Sequence, residues 1–595
     1  MSSTPPVLFF YLSLSVWQTA NELEGEWKSQ KFMSSYSSLA SGMFKRWRVR
    51  LNFDFWTLGS LLIAAIVLLP VFAVIVLAMF PTENIWPHLM DTVLPGYIRT
   101  TLWLMLGVCV GTFIIGTGTA WLVSMCRFPG RGVFEWALLI PLAMPAYVVA
   151  YVYTDLLEFS GPLQSMLRDT FGWRTPRDYW FPDIRSLGGA ITMMVLVLYP
   201  YVYLLSRAAF MEQSVTMLEA SRTLGCSPWQ SFVRVGLPIA RPSIVVGVIL
   251  ALMEALNDFG TVDYFAVRTL TAGIFNVWLH MRNLGGGAQI AVVLLIFIVV
   301  LILIERMARR KKRYHTSTRS TPPVRIQLKG WKAWGAVIAC SLPILFGIVI
   351  PGGQLVIYSL SHYEASWAAG FPIYARNSLM LSAIAAAIAV ALGLFLAYAG
   401  RLGRGPLLTG CLRMVSLGYA VPGAVLAVGI LFPFGYFDNF VDGLMREYFG
   451  ISTGLLLSGT VFILIYAYVA RFLALSYGTM EAGLTRIRPN LDGAARTLGR
   501  TPSGVLRDVH VPILRGSLGT AAILVFVDTM KELPATLVLR PFNFDTLATH
   551  VYQYAKDEQI ELAALGSLSI VLVGLIPTLL LSYTISQSRS GGNTP

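Results

Sequence analysis

Four carboxylates interrupt apolar sequence at two places with the same spacing. Glu254 and Asp258 fall in MEALNDFGTVDYF, and Asp528 and Glu532 in VDTMKELPATLVLRPFNFDTLAT. On a continuous helix, residues four apart share a face. Carboxylate oxygens suit hard cations and repel oxyanions. A carboxylate at the centre of a bilayer costs about 2.5–3.5 kcal/mol on insertion scales, so such groups face cavities or one another. Two placements satisfy the pattern: a translocation path lined by Glu254, Asp258, Asp528 and Glu532, or the wetted outer ends of the helices that carry them. Lys531 can pair with Asp528 or Glu532, and Asn257 stands at its counterpart. Four carboxylates less one ammonium leave a formal charge of −3.

Other site chemistry is missing. Cys109, Cys126, Cys226, Cys340 and Cys411 form no C-x-x-C pair, and His88, His280, His315, His362, His510 and His550 are scattered. Neither a disulfide framework nor a zinc site is indicated, no metal ligand is assigned, and no catalytic residue emerges. No G-x-x-x-x-G-K-[ST] occurs, so the chain has no phosphate cradle of that type and binds no nucleotide cofactor through one.

The elements that hold the carboxylates can be read from composition. The chain has 595 residues, 55% hydrophobic and 13% charged, against roughly 25% charged in soluble domains. About twelve apolar runs are long enough to span a membrane, near 57–79, 100–125, 134–155, 188–206, 240–257, 288–304, 334–358, 378–400, 412–434, 454–475, 516–530 and 562–583. The net charge of +14 lies mostly in loops, which fits membrane topology and lipid head groups, not nucleic acid. Arginines before the first run and after the second and fourth mark those sides as cytoplasmic. Residues 1–55 then read as a cytoplasmic tail, 306–332 as a basic cytoplasmic linker and 585–595 as a C-terminal tail, with both termini cytoplasmic. The 15 Trp and 25 Tyr are most simply interfacial belts.

The pattern occurs twice. YIRTTL at Tyr97 returns as YARNSL at Tyr374, and MPAYVVA at Met144 as VPGAVLA at Val421, both displaced by 277 (374 − 97, 421 − 144). RTLG ending at Gly225 returns as RTLG ending at Gly499, displaced by 274 (499 − 225). A net three-residue deletion reconciles the offsets. The expected fold is an all-α polytopic membrane protein of about twelve transmembrane helices, arranged as two parallel six-helix repeats over 56–305 and 333–584. By the 274 offset Glu254 matches Asp528 and Asp258 matches Glu532. Pro145 and Pro422 recur within the third helices, where each frees a backbone carbonyl and kinks the helix.

Between the fourth and fifth helices of each half lies a polar loop. LEASRTLGCSPWQSFVRVGLPIARPSI starts at Leu218, and LDGAARTLGRTPSGVLRDVHVPILRGSL at Leu491. Each has a short helix-forming stretch, a glycine, and a proline thirteen residues later (238 − 225, 512 − 499). A short helix outside the bilayer, ended by glycine, is a handle for a soluble partner.

This resembles the EAA loop of bacterial ABC-importer permeases: Glu-Ala-Ala, three residues, Gly, nine residues, an Ile-like residue, one residue, Leu-Pro. Glu219, Ala220, Ser221, Gly225, Leu237 and Pro238 occupy those positions in the first copy. Ala494, Ala495, Gly499 and Pro512 do so in the second, where Gly493 takes the glutamate position and Asp492 precedes it. The resemblance implies type I importer architecture, loops that couple to two ATP-binding subunits, ATP on those partners, and a periplasmic substrate-binding protein. It places the chain in the bacterial inner membrane as a transport subunit and not an enzyme.

The string around Asp528 and the fused plan resemble the ferric-iron permeases of that superfamily. Ferric iron is therefore the expected substrate, with thiamine or polyamine permeases as the alternative. A twelve-helix secondary transporter is a more distant rival, set aside by the repeated loop and by the lack of further charges within the spans for ion coupling.

Overall fold

The computed structural model describes residues 54–213, 221, 223–310, 325–403 and 405–590. Most of the expected N-terminal tail, positions 311–324 of the linker and the last five residues lie outside the described residues. Ten helices among the described residues are long and apolar enough to cross a membrane, and counting each of two bent helix pairs as one span brings the number to twelve. The first six spans are Phe55–Met79, Leu94–Met125, the pair Arg131–Ala143 with Ala146–Phe171, Leu187–Met211, Trp229–Asn257 and Leu284–Ala308. The second six are Trp331–Ser361, Phe371–Leu402, Gly423–Phe449, Val461–Thr485, the pair Pro502–Ile513 with Arg515–Met530, and Ile560–Leu580.

The two halves repeat each other in backbone detail. Met144 (ψ 120°) and Val421 (ψ 121°) are both extended, as the residue before a proline prefers. Pro145 and Pro422 then start new helices, at Ala146 and Gly423. The expectation of a kink within a continuous helix is therefore corrected to a break, in both halves. A five-residue π turn recurs at Phe232–Gly236 and Leu506–His510, displaced by 274 (506 − 232). After it the chains differ: the first half runs on to Asn257, whereas the second bends by 79° between Ile513 and Arg515.

Lipid gives helices no hydrophobic reason to associate, so small residues and polar contacts decide their packing. Gly116 lets the second span approach the fourth so closely that a Cβ there would lie 2.7 Å from the Cβ of Val202. Gly393, 277 residues on, does the same against Ser476.

The leading span of each half lies against the other half. In the first span, Pro70 has no N–H for the carbonyl of Ile66, and the Tyr466 hydroxyl from the tenth span donates to it at 2.6 Å. In the seventh, the Phe346 carbonyl precedes Pro351 by five residues across a π turn, and the Tyr153 hydroxyl of the first half donates to it at 2.7 Å. The linker returns in the same sense. Strand β1 (Cys126–Arg127), after the second span, pairs in parallel with β2 (Ile326–Gln327), just before the seventh.

The tightest crossing is Gly429 of the ninth span against Pro70, where a Cβ would sit 2.1 Å from the Pro70 carbonyl oxygen. Gly429→Ala is expected to destabilise the chain by about 1–3 kcal/mol through overpacking. Gly435→Ala, on the same helix with open space at its Cβ, should be neutral or stabilising by up to about 1 kcal/mol. Thermal midpoints of the two variants in detergent check the pair.

Candidate functional site

A cavity of about 110 Å³ lies between the halves and gathers all four carboxylates, with Asn257 and Lys531. The structure thus brings the four together at one cavity. The helical-face argument, however, is corrected. The fifth span ends at Asn257 and Asp258 occupies its C-cap; the eleventh ends at Met530, before Glu532. Only the first member of each pair lies on the long helix.

The second members cap the short helices that come next in the chain. Asp258 accepts a hydrogen bond from the Thr261 N–H at 2.8 Å, at the start of the short helix Gly260–Tyr264. Glu532 accepts from the N–H groups of Ala535 and Thr536, each at 3.0 Å, and from the Thr536 hydroxyl at 2.5 Å, opening the helix Pro534–Leu539. A helix that starts inside a bilayer needs acceptors for its free N–H groups, and these carboxylates supply them.

Among the described residues, the cations of this cavity pair with the carboxylates of the second half. Lys531 binds Asp528 at 2.9 Å, and Arg471 of the tenth span binds Glu532 at 2.8 Å with both side chains buried. Counting Arg471, four carboxylates and two cations leave −2 in the cavity, not the −3 expected from sequence. Arg471 was legible as a lone charge in the apolar run 454–475. Together with the buried Arg207, which pairs with Glu135, it corrects the expectation that the spans hold no further charge.

The halves also bond to each other here. The Tyr419 hydroxyl donates to Glu254 at 2.6 Å, and the Gly423 N–H, at the helix start after Pro422, donates to Asn257 at 3.0 Å. A Cβ at Gly423 would lie 2.6 Å from Glu532 Oε1 and 3.0 Å from an Arg471 nitrogen, so a larger residue there must displace that ion pair. Tyr147, Tyr201 and Tyr419 line the cavity, so these three do not belong to an interfacial belt.

The two loops share one turn. Gly225 (φ +85°) and Gly499 (φ +81°) take the left-handed conformation that ends a helix. The next N–H closes back in each copy, Cys226 to the Ser221 carbonyl at 3.0 Å and Arg500 to the Ala495 carbonyl at 3.1 Å. Ser221 and Ala495, the same position in the repeat, are both buried. The residue before each glycine is a leucine at the extreme of exposure, Leu224 at 84% and Leu498 at 83%. Sequence reading passed over both, although their recurrence was a usable signal.

Glu219 and Ala220 lie outside the described residues. In the second loop Ala494 is exposed on the helix Asn490–Thr497, and Gly493 has open space beside it. Asp492 turns into the chain: Arg401 Nε lies 2.7 Å and His510 Nε2 2.8 Å from its carboxylate. Arg401 also donates to the carbonyls of Leu484 and Ile487, tying the loop to the eighth and tenth spans. Leu237 and Pro238 begin the long helix after the first π turn, and Pro512 lies just after the second.

Residues 113–314 match the family described as binding-protein-dependent transport system inner membrane component. The chain is 27% identical over 489 residues to the Fe(3+)-transport system permease protein FbpB 2 of Haemophilus influenzae, covering 81% of this chain and 89% of that one. It is 24% identical over 587 residues to a probable ABC transporter permease protein, y4fN, of Sinorhizobium fredii, covering 92% and 98%. Over 179 residues it is 27% identical to the molybdenum transport system permease protein ModB of Escherichia coli, covering 29% of this chain and 75% of that one.

Removing one member of a buried ion pair typically costs about 3–5 kcal/mol, because the other is left charged and unpaired. Arg471→Met is accordingly expected to lower the yield and thermal midpoint of the folded chain sharply. Adding Glu532→Gln should recover much of the loss, and size-exclusion profiles with thermal scans of both variants check it.

Proposed function

We propose that the chain is a binding-protein-dependent inner-membrane permease of an ABC importer and that it carries ferric iron into the cytoplasm, driven by ATP hydrolysed on two separate subunits. The observation that carries the ferric reading is the cavity between the halves, where carboxylates from both halves outnumber the cations by two. Poorly solvated charges interact strongly, so this arrangement favours a hard cation and opposes an oxyanion such as molybdate. The relative named for Fe(3+) transport, similar over most of both chains, supports the same reading.

The coupling loops comprise Glu219, Ala220, Ser221, Gly225, Leu237 and Pro238 in the first half, and Asp492, Ala494, Ala495, Gly499 and Pro512 in the second. In this reading each loop docks one ATP-binding subunit on the cytoplasmic side, where both termini also lie, and a periplasmic binding protein delivers the ion to the opposite face. Leu224 and Leu498 are the apolar contacts each loop offers. Asp492 holds the second helix in place through Arg401 and His510, a positioning role in place of the carboxylate that Glu219 brings to the first loop.

The substrate is tested in vesicles containing the permease and its ATP-binding partner, with the binding protein supplied on its own side. Offered ferric iron, thiamine, a polyamine and molybdate in turn, the complex should accumulate ferric iron; accumulation of another of these instead overturns the reading.

Burying a leucine is worth about 1.5–3 kcal/mol, roughly tenfold or more in affinity. Leu224→Asp and Leu498→Asp should each lower binding-protein-stimulated ATP hydrolysis about tenfold while leaving membrane insertion intact. Unchanged stimulation in both variants would rule out leucine-mediated docking.

A further inference from the structure

The carboxylates of the cavity are related by the two-fold repeat, but their partners are not. Asp528 is neutralised by Lys531, whose counterpart in the first half is Asn257 (531 − 274). Glu532 is neutralised by Arg471, whose counterpart is Val197 (471 − 274). Both counterparts line the same cavity. Among the described residues, no lysine or arginine forms an ion pair with Glu254 or Asp258. Glu254 accepts the Tyr419 hydroxyl and Asp258 the Thr261 N–H. The formal charge of −2 therefore belongs entirely to the first half.

A second observation points to the same wall. The Tyr147 hydroxyl is buried, its residue only 4% exposed, and it has no hydrogen-bond partner. Tyr147 lines the cavity and packs against Gly260, two residues beyond Asp258: a Cβ at Gly260 would fall 2.7 Å from that of Tyr147. Its counterpart in the second half is Ala424 (147 + 277), which carries no polar group. A buried phenol without a partner is costly unless something passing through the cavity supplies one.

Resting on the cation reading above, we propose that ion selectivity is confined to the first half. Glu254, Asp258 and the Tyr147 phenol are the oxygen groups that meet the ion, while Asp528 and Glu532 serve as internal counter-ions of Lys531 and Arg471. Among the described residues no three Asp, Glu, His or Cys side chains converge as a metal-holding group. A path requires binding weak enough to release the ion, and contacts from one half alone favour that.

The test compares two double variants in vesicles with the ATP-binding partner and the binding protein. Glu254→Gln with Asp258→Asn removes the unpaired charge, and ferric uptake should fall at least tenfold while binding-protein-stimulated ATP hydrolysis continues. Asp528→Asn with Lys531→Met removes a neutral pair and keeps the net charge, and uptake should fall several times less than in the first double. Tyr147→Phe should lower uptake severalfold. Equal loss in the two doubles, at matched assembly, overturns the proposal. Should the second double fail to assemble, Asn257→Lys decides, because it gives the first half the cation that the second half holds: lost uptake supports the proposal and retained uptake overturns it. Running the unaltered complex with ferric iron and with molybdate separates the two levels. Import of molybdate in place of iron overturns the cation reading and this inference with it, whereas ferric import insensitive to Glu254→Gln with Asp258→Asn overturns this inference alone.

Discussion

A helix that begins in the middle of a bilayer must find acceptors for its first N–H groups, because no lipid atom accepts them. This chain meets the demand with side chains that also line the cavity between the halves. Asp258 and Glu532 each receive N–H groups of a short helix, and Asn257 receives the Gly423 N–H from the other half. The breaks at Pro145 and Pro422 create such helix starts, and the polar groups that satisfy several of them surround the cavity. Backbone satisfaction and the chemistry of the site are thus one arrangement.

The repeat makes the backbones of the halves alike, and fusion into one chain lets their side chains diverge. A homodimer would carry Arg471 twice or not at all. Here one copy has an arginine and the other a valine at the same turn of the fourth helix, so one wall of the cavity is neutralised and the other is not. The two polar loops differ similarly. The triad of Asp492, Arg401 and His510 has Ser124 and Gly236 at the arginine and histidine positions of the first half, neither of which can form a charged contact there.

What could be read from sequence divides along physical lines. The spans were legible because hydrophobic length is a property of composition, although the runs 134–155 and 412–434 each cross a helix break at a proline. The two loops were legible because Gly225 and Gly499 need a left-handed conformation at a fixed distance from a proline. Capping by Asp258 and Glu532 was not, since a spacing of four is equally compatible with one helix face and with a helix that stops in between. Arg471 was missed for a different reason: comparison of the copies rewards what recurs, and its counterpart is Val197. The buried tyrosines were misassigned because the amphipathic ring that suits an interface suits a polar cavity as well.

The exchange of leading spans sets a clock on biogenesis. The first span ends at Met79, but the helix that packs on it through Gly429 begins at Gly423, 344 residues later (423 − 79). At about 5–20 residues per second the ribosome takes roughly 20–70 s to supply it. Through that interval the Ile66 carbonyl freed by Pro70 has no Tyr466 to meet it, and the span must remain in lipid without its final neighbour. Each half is therefore incomplete when its own six helices have been made, and the unit that folds is the whole chain.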